Sequence, residues 1–315
     1  MKKKAFITLT ALFSCIYFYL KAMHPMLVTM HGTKSKRNIR QYAVVAADAS
    51  EKAYHLSTAP VKATVTDDDP KPTEHITFGE PDKKDAAGFI EKREIDGVPT
   101  LIISFKGTDS VDDVITDVTG GIGIFKKEDK ICGSGGKAHI GIYNKYLAIR
   151  QDMLNKLEQA KQLHKIDNYL ITGHSLGGAL ATLAALDLKK HQPNKEIDLV
   201  TFSAPKVFNK AGADYTDKVL RDKSYRLYKE GDLVPLLGLT IIGFKHTGKA
   251  LHFKSESKIN PIKNHSIKEI KKDIVLGKAV HKNQKNPTEE MHKNIIDILK
   301  ELFNNIKNAI TKLFN

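Results

Sequence analysis

Asn168-Tyr169-Leu170-Ile171-Thr172-Gly173-His174-Ser175-Leu176-Gly177-Gly178-Ala179-Leu180-Ala181-Thr182 is the stretch that decides the reading of this chain. Residues 168–172 are mostly apolar and predict a short buried strand. Gly173 to Gly177 form a G-x-S-x-G pattern, and the Ala- and Leu-rich run from Gly178 to Lys189 predicts a helix. A strand, a sharp turn and a helix in that order make a nucleophile elbow, with Ser175 at its tip. The serine needs a strained backbone to project above a sheet, and glycines at 173 and 177 clear the space around it. The helix that follows aims free N–H groups and its positive dipole end at the point where a carbonyl oxygen would become negative.

A chain of 315 residues can bury a sizeable core, and its 41% hydrophobic and 27% charged residues describe a globular protein. The net charge of +14 predicts an anionic partner, such as a membrane surface or an acidic substrate. Nucleic acid is the weakest reading of that charge, because no nucleic-acid motif or repeat accompanies it. The two cysteines, Cys15 and Cys132, offer no metal-ligand pairing. Cys132 has no activating partner nearby in sequence and reads as a spectator thiol.

The N-terminus reads as an address. Lys2-Lys3-Lys4 precedes an apolar run from Ala5 to Leu20, which Lys21 closes. That pattern predicts export through residues 1–24, either as a cleaved signal peptide or as an uncleaved membrane anchor. At the other end, residues 286–315 predict an amphipathic helix. Asn286-Pro287-Thr288-Glu289 supplies a start signal, and Ile295, Leu299, Leu302, Ile306, Ile310 and Leu313 form an apolar stripe.

Between these ends, strands and helices alternate. Gln41 to His55 predicts a helix. Ala87 to Arg93 and Pro99 to Phe105 predict a hairpin around Asp96-Gly97. Tyr143 to Leu163 predicts a helix that packs on the sheet through Tyr143, Leu147, Leu154, Leu157 and Leu163. Ile197 to Phe202 and Tyr225 to Tyr228 predict further strands. The alternation implies an α/β fold, a mostly parallel central sheet with helices on both faces.

A serine hydroxyl needs a base, and the base needs an orienting acid. In enzymes built on such an elbow the chain order is serine, acid, histidine. Asp232 falls just past the C-terminal end of the strand at 225–228, where sheet ligand sites form. Asp214, Asp217 and Asp222 precede that strand and would lie at its wrong end. The histidine candidates are His246, His252, His265, His281 and His292. A loop-borne histidine after the acid is favoured, which leaves His246 and His265 open, the latter read at the start of a short helix.

The chain resembles the class-three, fungal-type lipases of the α/β-hydrolase superfamily. The elbow is similar to theirs, and four further blocks follow in the family's order: Ser104-Phe105-Lys106-Gly107-Thr108-Asp109, Ala138-His139-Ile140-Gly141-Ile142, Thr201-Phe202-Ser203-Ala204-Pro205-Lys206-Val207 and Asp232-Leu233-Val234-Pro235. The resemblance spans roughly 41–274. It implies Ser175 as nucleophile, Asp232 as acid and His265 as base, with His246 structural. It also implies an oxyanion hole formed by Thr108 and the Leu176 N–H. Lys106 stands where the family carries arginine, which loses the planar fork of a guanidinium. The glycine-rich segment 119–136 takes the place of the family's lid.

The function implied is a serine ester hydrolase that cleaves acylglycerols or related lipid esters through an acyl-enzyme. No metal or organic cofactor is implied. Its expected partners are the lipid ester and an anionic membrane surface, because eleven lysines between Phe244 and Asn286 face only Glu256, Glu269 and Asp273. The rivals are a phospholipase A-type enzyme acting on anionic phospholipids and an inactive lipid-binding module that keeps the fold. The expected organisation is residues 1–24 as signal or anchor, 25–285 as the hydrolase domain and 286–315 as the amphipathic helix.

Overall fold

Continuous apolar runs such as Leu101-Ile102-Ile103 predict strands buried on both faces, and the computed structural model places them at the centre of a seven-stranded sheet. The structure describes residues 38–56, 75–81, 83, 85–108, 130–236, 244–255 and 260–278. The expected N-terminal address and C-terminal amphipathic helix lie outside these residues, as do residues 119–129 of the segment aligned with the lid.

The sheet is formed by β1 (His75–Gly79), β2 (Ala86–Ile95), β3 (Val98–Phe105), β4 (Asn168–His174), β5 (Glu196–Phe202), β7 (Ser224–Lys229) and β9 (Lys249–Phe253), side by side in that order. A short antiparallel pair, β6 (Phe208–Asn209) and β8 (Phe244–Lys245), stands apart from it. The first three strands pair antiparallel and every later pairing is parallel. β2 and β3 form the expected hairpin. Its two turn residues, Asp96 and Gly97, have φ of 51° and 76°, the left-handed pair that a two-residue hairpin requires.

Alternation along the strands separates two cores. Leu101, Ile103, Phe105, Tyr169 and Ile171 face α2 (Ile140–His164), α3 (Leu176–His191) and α4 (Lys210–Leu220). Ile102, Leu170, Val200 and Phe202 face α1 (Ile39–Lys52) and α6 (Ile267–Val275). The small residues Ala43, Ala46, Ala47 and Ala49 bring α1 close enough for hydroxyl contacts through the sheet. Ser50 Oγ lies 3.0 Å from Thr172 Oγ1, and Ser104 Oγ donates to the Ala49 carbonyl at 3.1 Å.

The predicted face of α2 needs correction. Leu147 and Leu163 are 38% and 61% exposed, and the buried stripe is Ile142, Tyr143, Tyr146, Ile149, Met153, Leu157 and Ala160. A buried carboxylate accounts for the rotation. Asp187 of α3 accepts from Tyr146 Oη at 2.6 Å and from the Arg150 guanidinium at 2.6 and 3.1 Å. A buried carboxylate stripped of such partners costs about 3–5 kcal/mol, comparable to the two leucines at about 1.5–3 kcal/mol each, and the face that α2 presents also buries Ile142, Tyr143, Ile149 and Met153.

The described end of the segment aligned with the lid is anchored. Ile131 and Cys132 are buried in the core, and Gly136 N–H donates to the Gly133 carbonyl at 3.1 Å. Among the described residues, no helix is long and apolar enough to cross a membrane.

Candidate active site

β4 runs to His174 and α3 starts at Leu176, which leaves Ser175 alone in the turn. Its φ of 58° and ψ of −129° are strained for a residue with a side chain, at a cost of about 1–3 kcal/mol. The surroundings hold it there. Ser175 N–H donates to the Phe202 carbonyl at 2.9 Å, and the Ser175 carbonyl accepts from Gly178 N–H at 3.0 Å. The flanking glycines are required by close approach. A Cβ on Gly173 would lie 2.3 Å from the Gly177 carbonyl oxygen, and one on Gly177 would lie 2.4 Å from the Phe105 carbonyl oxygen and 2.9 Å from Gly107 N. The same approach brings the end of β3 against the start of α3, so Thr108 and Leu176 stand where those two segments meet.

Ser175 Oγ is buried and makes no hydrogen bond among the described residues. The acid follows β7, and the histidine lies in a short helix after β9. Asp232 follows β7 through a turn in which its N–H donates to the Lys229 carbonyl at 3.2 Å. Its Oδ1 accepts from Val234 N–H at 3.0 Å, which fixes the carboxylate in an Asx-type turn. His265 closes the five-residue helix α5 (Pro261–His265), whose first turn Asn260 caps by accepting from Lys263 N–H at 2.9 Å. The histidine thus ends one short helix, with Ser266 alone between it and α6. His265 Nδ1 lies 3.0 Å from Asp232 Oδ1 and 3.2 Å from Oδ2, with both residues buried. An ionised carboxylate only accepts, so Nδ1–H donates, and in the neutral ring Nε2 carries the free lone pair.

His246 is committed elsewhere. Its Nε2 meets the Pro235 carbonyl at 2.6 Å. Burial, then the charges of Arg226 and Lys206, hold its pKa well below the usual 6.5. Burial also brings Lys206 down to about 8. Asp214 and Asp217, set aside on strand polarity, lie on α4. Asp214 pairs with Lys245 at 3.1 Å, and Asp217 accepts from Gly248 N–H at 2.7 Å.

Sequence reasoning missed two residues. His174 Nδ1 meets Tyr54 Oη at 2.7 Å, and His174 Nε2 meets the His265 carbonyl at 2.6 Å. The histidine stands inside the elbow motif, beside the serine. Tyr54 follows α1, 120 residues earlier, and nothing in its local sequence marks it.

The family model for class 3 lipases matches residues 102–240, which include the elbow, Thr108 and Asp232 and stop short of His265. A lipase of Rhizopus niveus is 29% identical over 174 residues, covering 54% of this chain and 42% of that protein. The secreted mono- and diacylglycerol lipase A of Penicillium cyclopium is 29% identical over 163 residues, covering 51% of this chain and 50% of that protein. The chain therefore spans half or less of the length of these curated relatives. The solved structure of lipase II from Rhizopus niveus superposes with a TM-score of 0.54 at 25% identity, covering 71% of this chain and 83% of that one. Taken with the parallel sheet and the strained serine turn, these matches show that residues 102–240 are similar to the class 3 lipases and that the fold is that of the α/β-hydrolases.

Proposed function

We propose that this protein is an exported serine hydrolase of lipid esters, with Ser175 as nucleophile, His265 as base and Asp232 as orienting acid. The observation that carries the reading is the buried Asp232–His265 hydrogen bond in a fold whose elbow serine is held in strain. A module that only bound lipid would require neither.

Ser175 Oγ attacks the ester carbonyl carbon while its proton passes to His265 Nε2. The carbonyl oxygen becomes an oxyanion facing Thr108 and the Leu176 N–H, and each such donor contributes about 3 kcal/mol to the transition state. The carbon–oxygen bond to the alcohol then breaks, and His265 returns the proton to the departing oxygen. Water, deprotonated by the same Nε2, attacks the acyl-enzyme, and the fatty acid leaves with Ser175 restored. Asp232 keeps Nδ1 as the donor throughout, so Nε2 always faces the reaction.

The Penicillium relative is named as a secreted mono- and diacylglycerol lipase, which supports acylglycerols as substrate class and export as the address. The lysine-rich stretch supports an anionic lipid surface as docking partner. Lys245, Lys271 and Lys278 are spent in ion pairs with Asp214, Asp48 and Asp273, whereas Lys254, Lys263, Lys268 and Lys272 are exposed. Each exposed lysine near such a surface contributes up to about 1 kcal/mol, weakened by salt.

The test is fatty acid release from monoacylglycerol, diacylglycerol and triacylglycerol emulsions and from phosphatidylserine vesicles, at low and high salt. Release from the acylglycerols, faster when phosphatidylserine is mixed in at low salt, is the expected result. Release confined to the phospholipid would replace the acylglycerol reading with a phospholipase, and rates indifferent to phosphatidylserine and salt would remove the docking.

A further inference from the structure

The His265 carbonyl ends a helix of five residues, at a position where no later turn of α5 exists to supply its donor. His174 supplies one. Its Nε2 lies 2.6 Å from that oxygen, and because a carbonyl only accepts, Nε2 carries the proton. The ring is fully buried. Burial, then the nearby His265, hold its pKa well below 6.5 against the pull of the carbonyl, so the imidazole is neutral. Nδ1 of a neutral ring protonated at Nε2 is an acceptor, and Tyr54 Oη at 2.7 Å is the hydroxyl that donates to it. A single proton arrangement satisfies both contacts.

The two imidazoles are also in contact, with ring centres 4.5 Å apart and planes at 45°. His265 is therefore held twice, at its side chain by Asp232 and at its main chain by His174. Tyr54 is itself wedged in place. A Cβ on Gly107 would lie 2.2 Å from Tyr54 Oη and 2.6 Å from the His174 carbonyl oxygen, so the tyrosine hydroxyl sits where the end of β3 meets the elbow.

We propose that His174 is a positioning residue for the acid–base histidine: a hydrogen-bond relay from Tyr54 through His174 to the His265 carbonyl sets where the His265 ring stands relative to Ser175. The proposal rests on the hydrolase reading above. Its chemistry is that of placement. His265 becomes cationic when it takes the serine proton, and a neutral neighbour ring adds no opposing charge. A displacement of about 1 Å at such a step lowers a rate on the order of 100-fold.

The experiment compares His174→Leu, His174→Gln and Tyr54→Phe with wild type on a soluble p-nitrophenyl ester, reading kcat, KM and Tm. His174→Leu is expected to lower kcat and kcat/KM together by about 100-fold with KM unchanged. Tyr54→Phe, which keeps the imidazole and removes only the hydroxyl that fixes its tautomer, is expected to lose about tenfold in kcat. His174→Gln, whose amide N–H can reach the same carbonyl, is expected to recover most of the loss. A kcat unchanged in Tyr54→Phe and in folded His174→Leu overturns the proposal, as does a lower Tm without a kcat effect. If His174→Leu does not fold, Tyr54→Phe decides alone. Wild-type protein without turnover, or turnover retained by Ser175→Ala, overturns the hydrolase reading itself and the relay with it.

Discussion

Ser175→Ala is expected to lower turnover of a soluble ester by about six orders of magnitude, to the level of the remaining binding and oxyanion contacts. The same substitution is expected to leave thermal unfolding almost unchanged. Ser175 Oγ is buried and makes no hydrogen bond among the described residues, so its removal orphans no partner there. The strain at φ of 58° belongs to the backbone and stays with alanine. Loss of activity without loss of stability is the signature of a group present for chemistry. A variant that still turned over the ester at the wild-type rate would remove Ser175 from the reaction.

The second large effect separates the histidines. His265→Ala is expected to lower kcat by about 10⁴-fold or more, because the base, the acid that returns the proton and the partner of Asp232 all go at once. His246→Ala is expected to leave the activity of folded molecules within a few-fold and to lower stability instead, by about 1–3 kcal/mol. That is the range for a buried carbonyl, here Pro235, that loses its donor. The pH dependence gives the loss a second reading. His246 is held neutral in the folded protein and protonates near 6.5 when unfolded, so its contribution is present above about pH 6.5 and is lost as the pH falls towards its lower folded value. The melting temperature of His246→Ala should therefore fall less than that of wild type between about pH 7 and pH 5. Loss of catalysis in His246→Ala with His265→Ala active would exchange the two roles.

The elbow, the hairpin and the mostly parallel character of the central sheet were legible in the sequence because each is written in local chemistry. Gly173 and Gly177 mark a turn that admits no Cβ, Asp96-Gly97 marks a left-handed pair, and Leu101-Ile102-Ile103 marks a strand covered on both faces. The place of Asp232, just past the C-terminal end of β7, was legible from strand polarity. The face of α2 was misread because leucines were counted and Asp187 was not. A buried carboxylate 41 residues from Tyr146 has no local trace, yet it turns the helix. His265 and His246 could not be separated by local pattern, because both follow the acid within 33 residues and neither carries a local mark of its partner. What distinguishes them is a long-range fact, a carboxylate against one and a backbone carbonyl against the other. Tyr54 illustrates the same limit, since its partner lies 120 residues away at the end of β4.

The most direct test of the central claim is stoichiometric labelling by a serine-reactive alkyl phosphonate, read by mass spectrometry of the intact protein and of its peptides. The reagent requires a nucleophilic serine with its base and oxyanion donors assembled, and it does not require the natural lipid. One phosphonyl group per chain, carried by the peptide that contains Ser175 and absent from Ser175→Ala and His265→Ala, is the predicted result. Wild-type protein that remains unlabelled, or a label that persists at another residue in Ser175→Ala, would contradict it.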